Sequence, residues 1–401
     1  MIGNKPVVEI AGAGLAGLAA ATALAQSGWA VRVHEKGREL REIGAGLYLW
    51  QNALDAMREL GLYDKIAAVG VRSEQPRALL DHNHEEIHMR RGSDPLPELI
   101  VVLRTDVHRL LAECALKHGV EIVNNSPVLG ADPEGRLEFK GGYGDKADLV
   151  IGADGVFSKV RDSLHLATSI VDLKDGCGRH LIPRREGDSV NGRRVEMWVG
   201  GRRIGIAPTS KDQHYVFLCC PENDIAGRTQ QPFNLEAWVH SHPQYRSYLE
   251  RLPRHPAEHW RPFFNVTCSS WSKGRVCIVG DAAHSMAPNL GQGACVAIVN
   301  AVMLARTLTG GKGVEEALKR WETSERPYIL QTQRMSYLYG AVGTRWPHKL
   351  LGLRSKLLPL LAKSDRYQRN MRCALDHRPL LRVPQPSAND SNRIAGSSPA
   401  I

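Results

Sequence analysis

"PVVEIAGAGLAGLAAATALAQSGWAVRVHE", residues 6–35, decides the fold. The apolar run 6–11 reads as a short buried strand. Gly12-Ala13-Gly14-Leu15-Ala16-Gly17 follows and opens an Ala/Leu-rich helix that runs to about Gln26. "WAVRVHE", residues 29–35, reads as a second strand. A strand, a glycine turn, a helix and a strand in about thirty residues form the opening unit of a dinucleotide-binding fold. Gly12 allows the tight turn, and Gly14 lets a pyrophosphate approach the backbone. Gly17 lets the helix pack close to the strand, and the helix N-terminus favours phosphate. A packing turn that binds nothing can carry the same glycines; the strand before and the helix after favour the binding reading. Glu35 ends the second strand, where a carboxylate can accept hydrogen bonds from both ribose hydroxyls of an adenosine. It would repel a 2′-phosphate, so the ligand of this unit is FAD or NAD rather than NADP.

Beyond this unit, residues 53–61 and 105–118 read as helices and 147–151 as a strand. From about 170 to 268 helical periodicity fades, and "RVEMWVG", "RRIGIAP" and "HYVFLCC" read as sheet. Residues 275–279 return to a buried strand, and a long helical region follows from about 292 to 343. The tail after 383 is rich in Pro, Ser and Asn and reads as disordered. The chain of 401 residues is 43% hydrophobic and 23% charged, ordinary for a folded soluble protein. Eight cysteines without a C-x-x-C fit a reduced, cytoplasmic setting. Glu9 interrupts what would otherwise resemble a signal peptide, and no run of 18 apolar residues suggests a membrane span. The net charge of +10 is spread along the chain with no nucleic-acid-binding pattern, so no nucleic acid partner is expected. An anionic substrate, an anionic cofactor or a membrane surface explains the charge as well.

Two further motifs carry chemistry. "GADGVFSKVR", residues 152–161, directly follows a strand and contains Asp154 and Gly155. "VGDAAHSMAPNLGQGACVAIVNA" spans residues 279–301. In it, Gly280 and Asp281 end a strand, and Asp281 can reach a sugar hydroxyl. Gly291-Gln292-Gly293 then opens a helix whose N–H groups could face an anionic ring or phosphate.

In order and spacing, the three motifs resemble those of the flavoprotein aromatic hydroxylases, the para-hydroxybenzoate-hydroxylase-like FAD monooxygenases, over roughly residues 5–345. The resemblance implies an α/β fold: a Rossmann-like FAD-binding domain with an inserted, mostly antiparallel β-sheet substrate domain and C-terminal helices. The flavin domain would comprise 1–72, 99–168 and 269–345, and the sheet domain 73–98 and 169–268. Residues 346–382 would be a C-terminal helical region and 383–401 the tail. It implies that Gly12, Gly14, Leu15, Ala16, Gly17, Glu35 and Lys36 hold the ADP half of FAD. Asp154 and Gly155 would touch FAD, and Gly280 and Asp281 would hold its ribityl chain and pyrophosphate. Gly46 and Leu47, beside "GAG" at 44–46, would lie near the isoalloxazine ring with Arg104, which opens a helix. Pro288, Gly291, Gln292, Gly293 and Ala294 would frame the flavin.

"REIGAGLYLWQNAL", "SWSKGRVCIVGDAAHSM" and "QGACVAIVNA", with Asn300, resemble the branch that oxidises 2-methyl-3-hydroxypyridine-5-carboxylic acid and 5-pyridoxic acid. By that likeness Arg179, Arg203 and Tyr215 line the substrate pocket. The residue types agree, since arginine offers a planar fork for a carboxylate and tyrosine can donate to a ring hydroxyl or nitrogen. The plainer reading makes Arg203 one of several surface arginines with Arg193, Arg194 and Arg202, and makes Tyr215 sheet core. Arg77 stands where the branch has a second pocket tyrosine, which puts the substrate's identity and ring opening in doubt.

The expected function is hydroxylation of a small anionic hydroxybenzoate- or hydroxypyridine-carboxylate-like ring, with O₂ and NADH or NADPH, through a flavin C4a-hydroperoxide. Tyr215, Arg203 and Pro288 would serve the reaction, and Arg179, Arg203, Tyr215 and Arg77 would bind the substrate. Ring opening, a biosynthetic hydroxylase acting on a larger or lipid-like substrate, and a flavin- or NAD-binding protein without turnover are the alternatives. A monomer or homodimer is expected.

Two stretches point elsewhere. His84-Glu85-x-x-His88 matches the H-E-x-x-H of zinc proteases, but the polar turn Asp81-His82-Asn83 before it reads as a hairpin tip, so no metal site is expected. "KLLGLRSKLLPLL", residues 349–361, is basic and apolar and could lie on a membrane. Pro359 should break it, and packing against the protein body is the expectation.

Overall fold

A computed structural model describes residues 5–40, 44–89, 95–190, 192–256, 259–310 and 313–381. The tail expected after 383 lies outside these residues. The opening stretch folds as read: strand Val7–Ala11, helix Leu15–Gln26 and strand Ala30–His34. They enter a six-stranded sheet in the order Ser272–Lys273, Val276–Ile278, Leu149–Gly152, Val7–Ala11, Ala30–His34, Glu121–Val123. All neighbours pair parallel except the first two. Its central strands are buried on both faces, which is why they read as unbroken apolar runs. Glu9 is the exception. Its buried carboxylate is neutralised by Arg32 at 3.1 Å and bonded to His34 Nε2 at 2.7 Å.

The region 170–268 is mostly sheet, as its turn-punctuated runs predict, but short helices fill Ile225–Arg228, Leu235–Ser241 and Arg246–Leu249. Six strands lie in the order Arg261–Cys268, Ala167–Pro183, Gln213–Pro221, Arg202–Pro208, Val195–Val199, Ala78–Leu80. They are antiparallel but for the last pair. The pleat gives this sheet two unlike faces. Met197, Ile204, Ile206, Val216 and Leu218 point back onto Trp238, Tyr248 and Leu249 and form an apolar core. The other face looks toward the parallel-sheet domain. A smaller antiparallel sheet of Gly46–Trp50, Leu99–Leu103 and Val71–Arg72 stands between the two.

The helical region from 292 is two helices, Gly293–Leu308 and Val314–Thr344. The first packs on the opening helix. Two expectations change near the C-terminus. Pro359 does not break its segment: Leu351–Ala362 is one helix with the proline inside. The proline removes a single hydrogen bond near the helix end, and Arg354, Leu358 and Ala362, all buried, anchor the turns around it. Packing against the body is therefore only half the description, because several leucines of the same helix stay exposed.

The H-E-x-x-H stretch is a hairpin. Leu80 bridges to Glu86, Asp81 Oδ1 accepts from the Asn83 and Glu85 amides, and His84 has a φ of 68°. His84 and His88 do not share a helical turn, so the zinc-protease geometry is not formed here.

Candidate active site

Three loops from distant parts of the sequence meet at the C-terminal ends of the parallel strands. A Cβ on Gly12 would lie 2.5 Å from the Ala153 carbonyl oxygen, and one on Gly17 only 2.1 Å from that of Gly12. A Cβ on Gly280 would lie 2.8 Å from that of Ala16. Arg161, fully buried, donates to the carbonyls of Val156 (2.8 Å) and Ala282 (3.1 Å) and so ties the second motif to the third. Gly14 behaves differently, because its missing side chain faces open space. The helix Leu15–Gln26 has no side-chain cap and no acid in its first turn. Its free N–H groups are thus left for a ligand, and an anion is the ligand they favour. The helix Gly293–Leu308, opened by the third motif, is uncapped in the same way.

Glu35 is oriented before any ligand arrives. Its Oε2 accepts from the Ala13 amide at 3.0 Å and its Oε1 from the Gly37 amide at 2.8 Å. Leu15 is buried beneath the loop, and Lys36 is exposed at the strand end. Asp154 is spent on its own loop: it accepts from Ser158 Oγ (2.5 Å) and from the amides of Lys159 (2.7 Å) and Val160 (3.2 Å). Gly155 follows with a φ of 85°. Asp281 opens a short helix and is exposed. An open glycine turn, two uncapped helix ends and a preset carboxylate fit an adenine dinucleotide with its pyrophosphate on the helix.

The other side of the cleft is built from side chains. Arg104 opens the helix Arg104–Lys117, and its side chain fills the space a Cβ on Gly44 would need. Its amide bonds to Ala45 O at 2.9 Å. Gly46 likewise gives way to the Tyr215 ring, 2.4 Å from where its Cβ would be, and Gly291 to Tyr48 at 2.7 Å. Leu47 follows Gly46 in its strand and is half-buried. Pro288 opens a tight turn closed by Gly291 N to Pro288 O at 2.8 Å. Gln292 is buried with its Oε1 unpartnered, and Gly293 and Ala294, half-buried, start the helix.

Strand register puts Arg203, Cys219 and Cys177 in one row and Arg179 and Phe217 in the next, all on the cleft face with Tyr215. Glu196, Trp198 and Leu79 share that face by pairing. The structure therefore brings Arg179, Arg203, Tyr215 and Arg77 to one wall. It also gives two of the arginines partners that sequence reading did not see. Glu196, buried, accepts from Arg77 at 2.5 Å, from Trp198 Nε1 at 2.7 Å and from Tyr339 OH at 3.1 Å. Arg203, 1% exposed, lies 3.7 Å from the same carboxylate and donates to Asn289 Oδ1. Burial alone would lower the Arg203 guanidinium, but its surroundings, Glu196 among them, raise it and keep it charged. Burial raises the Tyr215 phenol well above its ordinary value, against the pull of Arg179, so it is a donor near neutral pH.

Arg194 is the residue the sequence hid best. Grouped with surface arginines by sequence, it is only 7% exposed. Its guanidinium stacks 5.3 Å from the Tyr48 ring and 5.2 Å from the Trp50 ring, and Nε donates to Ser73 Oγ at 3.1 Å. Among the described residues no carboxylate stands within ion-pair distance of it. Burial lowers its pKa to about 10. Trp50 Nε1 in turn donates to Gly291 O at 3.2 Å, and Tyr48 meets Tyr215 edge-on at 6.4 Å. Arg194 is thus one aromatic layer from the loop that opens the third-motif helix. A lone Glu196 in the apolar run "VEMWV" was the available signal for a buried charge on this strand.

The family model described as "FAD binding domain" matches residues 5–336. The chain is 38% identical over 387 residues to a Rhodococcus erythropolis protein provisionally named 2-heptyl-3-hydroxy-4(1H)-quinolone synthase, covering 94% of this chain and 97% of the relative. It is 33% identical over 347 residues to the 2-heptyl-3-hydroxy-4(1H)-quinolone synthase of Mycobacteroides abscessus, covering 84% and 90%. Among solved structures, the tetrameric form of 2-methyl-3-hydroxypyridine-5-carboxylic acid oxygenase superposes with a TM-score of 0.82 at 35% identity, covering 96% of this chain and all of that one. The chain belongs to the FAD-binding-domain family of flavoprotein monooxygenases, and FAD is its cofactor.

Proposed function

We propose that this flavoprotein hydroxylates an oxygenated N-heteroaromatic ring of the 4-quinolone type, at the ring carbon next to the carbonyl carbon, using NAD(P)H and O₂. One observation carries the reading: Arg194 is a buried cation without a carboxylate partner among the described residues, while Arg77 and Arg203 share Glu196. A buried arginine with rings but no carboxylate at ion-pair distance is costly, and it favours a ligand oxygen that gains negative charge. A 4-quinolone supplies one, since loss of its N–H proton places charge on the carbonyl oxygen and makes the ring carbon next to the carbonyl carbon nucleophilic. Bound FAD supplies the electrons, drawn from NAD(P)H, that activate O₂ for insertion into that carbon. This chain's residues bind and orient. Arg194 stabilises the charged carbonyl oxygen, Tyr215 donates a hydrogen bond to the ring's polar edge, and Tyr48 and Trp50 wall the ring from water. The names of the relatives at 33% and 38% identity support this substrate class.

A second reading follows from the likeness to the hydroxypyridine-carboxylate oxygenase. There Arg179 and Arg203 would hold a carboxylate and the ring would open. The existing partners of Arg203 count against it. The purified protein separates the two. A 2-alkyl-4-quinolone should stimulate NAD(P)H oxidation and give a product with one added oxygen atom. Arg194→Ala should raise KM for it at least about tenfold, the loss of one charge-assisted contact. Stimulation by hydroxypyridine carboxylates alone would replace this reading with the second.

A further inference from the structure

The helix Leu351–Ala362 is held to the protein along one stripe. Arg354 donates to the carbonyls of Gly343 (3.3 Å) and Trp198 (3.2 Å), Ser355 Oγ donates to Asp81 Oδ2 (2.7 Å), and Leu358 joins a buried cluster with Leu79 and Tyr339. The face turned away is not polar. Leu353, Leu357, Leu360 and Leu361 are 46%, 38%, 59% and 50% exposed, and Leu350, in the turn before, is 45% exposed. At 3.6 residues per turn the four helical leucines fall in one arc of roughly 100°. Lys349, Lys356 and Lys363, all exposed, recur every seven residues and form a row along one edge of that arc. Residues 346–364 contain no Asp or Glu.

We propose that this face is a docking surface for an anionic lipid bilayer, with the leucines entering the acyl boundary and the lysines reaching the headgroups. A solvated helix would have placed its polar residues outward. Here the outward arc is leucine and its flank is uniformly cationic, the arrangement of a helix lying in a membrane interface. The charge decides the occupant. A second copy of the same face would set lysine row against lysine row, whereas acidic lipids carry the opposite charge across their whole surface. Because Arg354 and Leu358 fix the helix to the body, docking would need no unfolding. No helix of the described residues is long and apolar enough to cross a membrane, so contact would be from one side.

The test uses the full-length, FAD-loaded protein and sedimentation with vesicles. Vesicles of phosphatidylcholine with phosphatidylglycerol should bind it, and those of phosphatidylcholine alone should bind far less. High salt should weaken binding. The triple variant Lys349→Glu, Lys356→Glu, Lys363→Glu should lose about a hundredfold in affinity for the anionic vesicles. The triple variant Leu353→Ser, Leu357→Ser, Leu360→Ser should lose at least as much. Both should keep full flavin absorbance and a cooperative melting transition, since all six side chains are exposed. No binding by the wild-type chain overturns the proposal, as does undiminished binding by the leucine variant. So does a lipid-free dimer that the leucine substitutions dissociate, which would make a second copy the occupant.

Discussion

The two walls of the cleft are made of different material. The cofactor wall is mostly backbone: Gly12, Gly17 and Gly280 bring loops within contact of one another, and Gly14 leaves the uncapped helix end open. The sheet wall is side chain: Arg194, Glu196 and Arg203 are buried charges and Arg77 a half-buried one, held by one another and by aromatic rings. The first wall tolerates almost no added atom. The second tolerates no missing charge, because an ion left alone in the interior costs more than the pair contributes. One wall is a steric device and the other an electrostatic one, and they should fail differently.

The largest effect is expected on the cofactor wall. Gly17→Ala places a methyl 2.1 Å from a backbone oxygen that cannot yield, so FAD affinity should fall by at least about a hundredfold and the apoprotein should melt earlier. Gly14→Ala meets open space, so it should weaken FAD binding while leaving the apoprotein's melting unchanged. Flavin absorbance after gel filtration and a melting curve read both. Equal melting of the two variants would show that this wall is not sterically tight.

On the sheet wall, Glu196→Gln removes the shared anion of Arg77 and Arg203 and should cost about 3–5 kcal/mol in denaturant unfolding. Adding Arg203→Met should recover part of that loss. If the pair is no better than the single change, the charges are not coupled.

The smallest expected effect is a slope in pH. Burial lowers His284, behind the cofactor wall, to about 4, and His180 and His242, behind the sheet wall, to about 4 and about 3. Their folded values lie below the unfolded value near 6.5, so between pH 6.5 and 4 the unfolded chain binds more protons and stability falls as pH falls. Replacing one of them, as in His180→Leu, should flatten the slope by up to about 1.4 kcal/mol per pH unit. An unchanged slope would place the acid sensitivity elsewhere.

Much of the cofactor wall was legible because its signal is local. Glycine spacing, the strand before and the helix after all fall within one window, and Glu35 follows at a fixed distance. The sheet wall was legible only in part. Arg179, Arg203 and Tyr215 were picked out by resemblance, but Arg194 stayed among the surface arginines until register buried it. Pro359 misled for a related reason: a proline reads as a break unless the packing that carries the helix past it is known.

By itself the sequence determined the opening strand–turn–helix–strand unit and the short-range hairpin at residues 81–88. Both depend on contacts between residues close in the chain, which periodicity and turn chemistry encode, whereas the order of the three motifs was read by resemblance. Only the tertiary structure decided that Glu196 stands between Arg77 and Arg203, that Arg194 lies on Tyr48 and Trp50, and that one helix near the C-terminus turns its leucines outward. A buried charge is compensated by whatever lies nearest in space. In this molecule the Arg77 partner stands 119 residues along the chain, a distance across which no local pattern carries information.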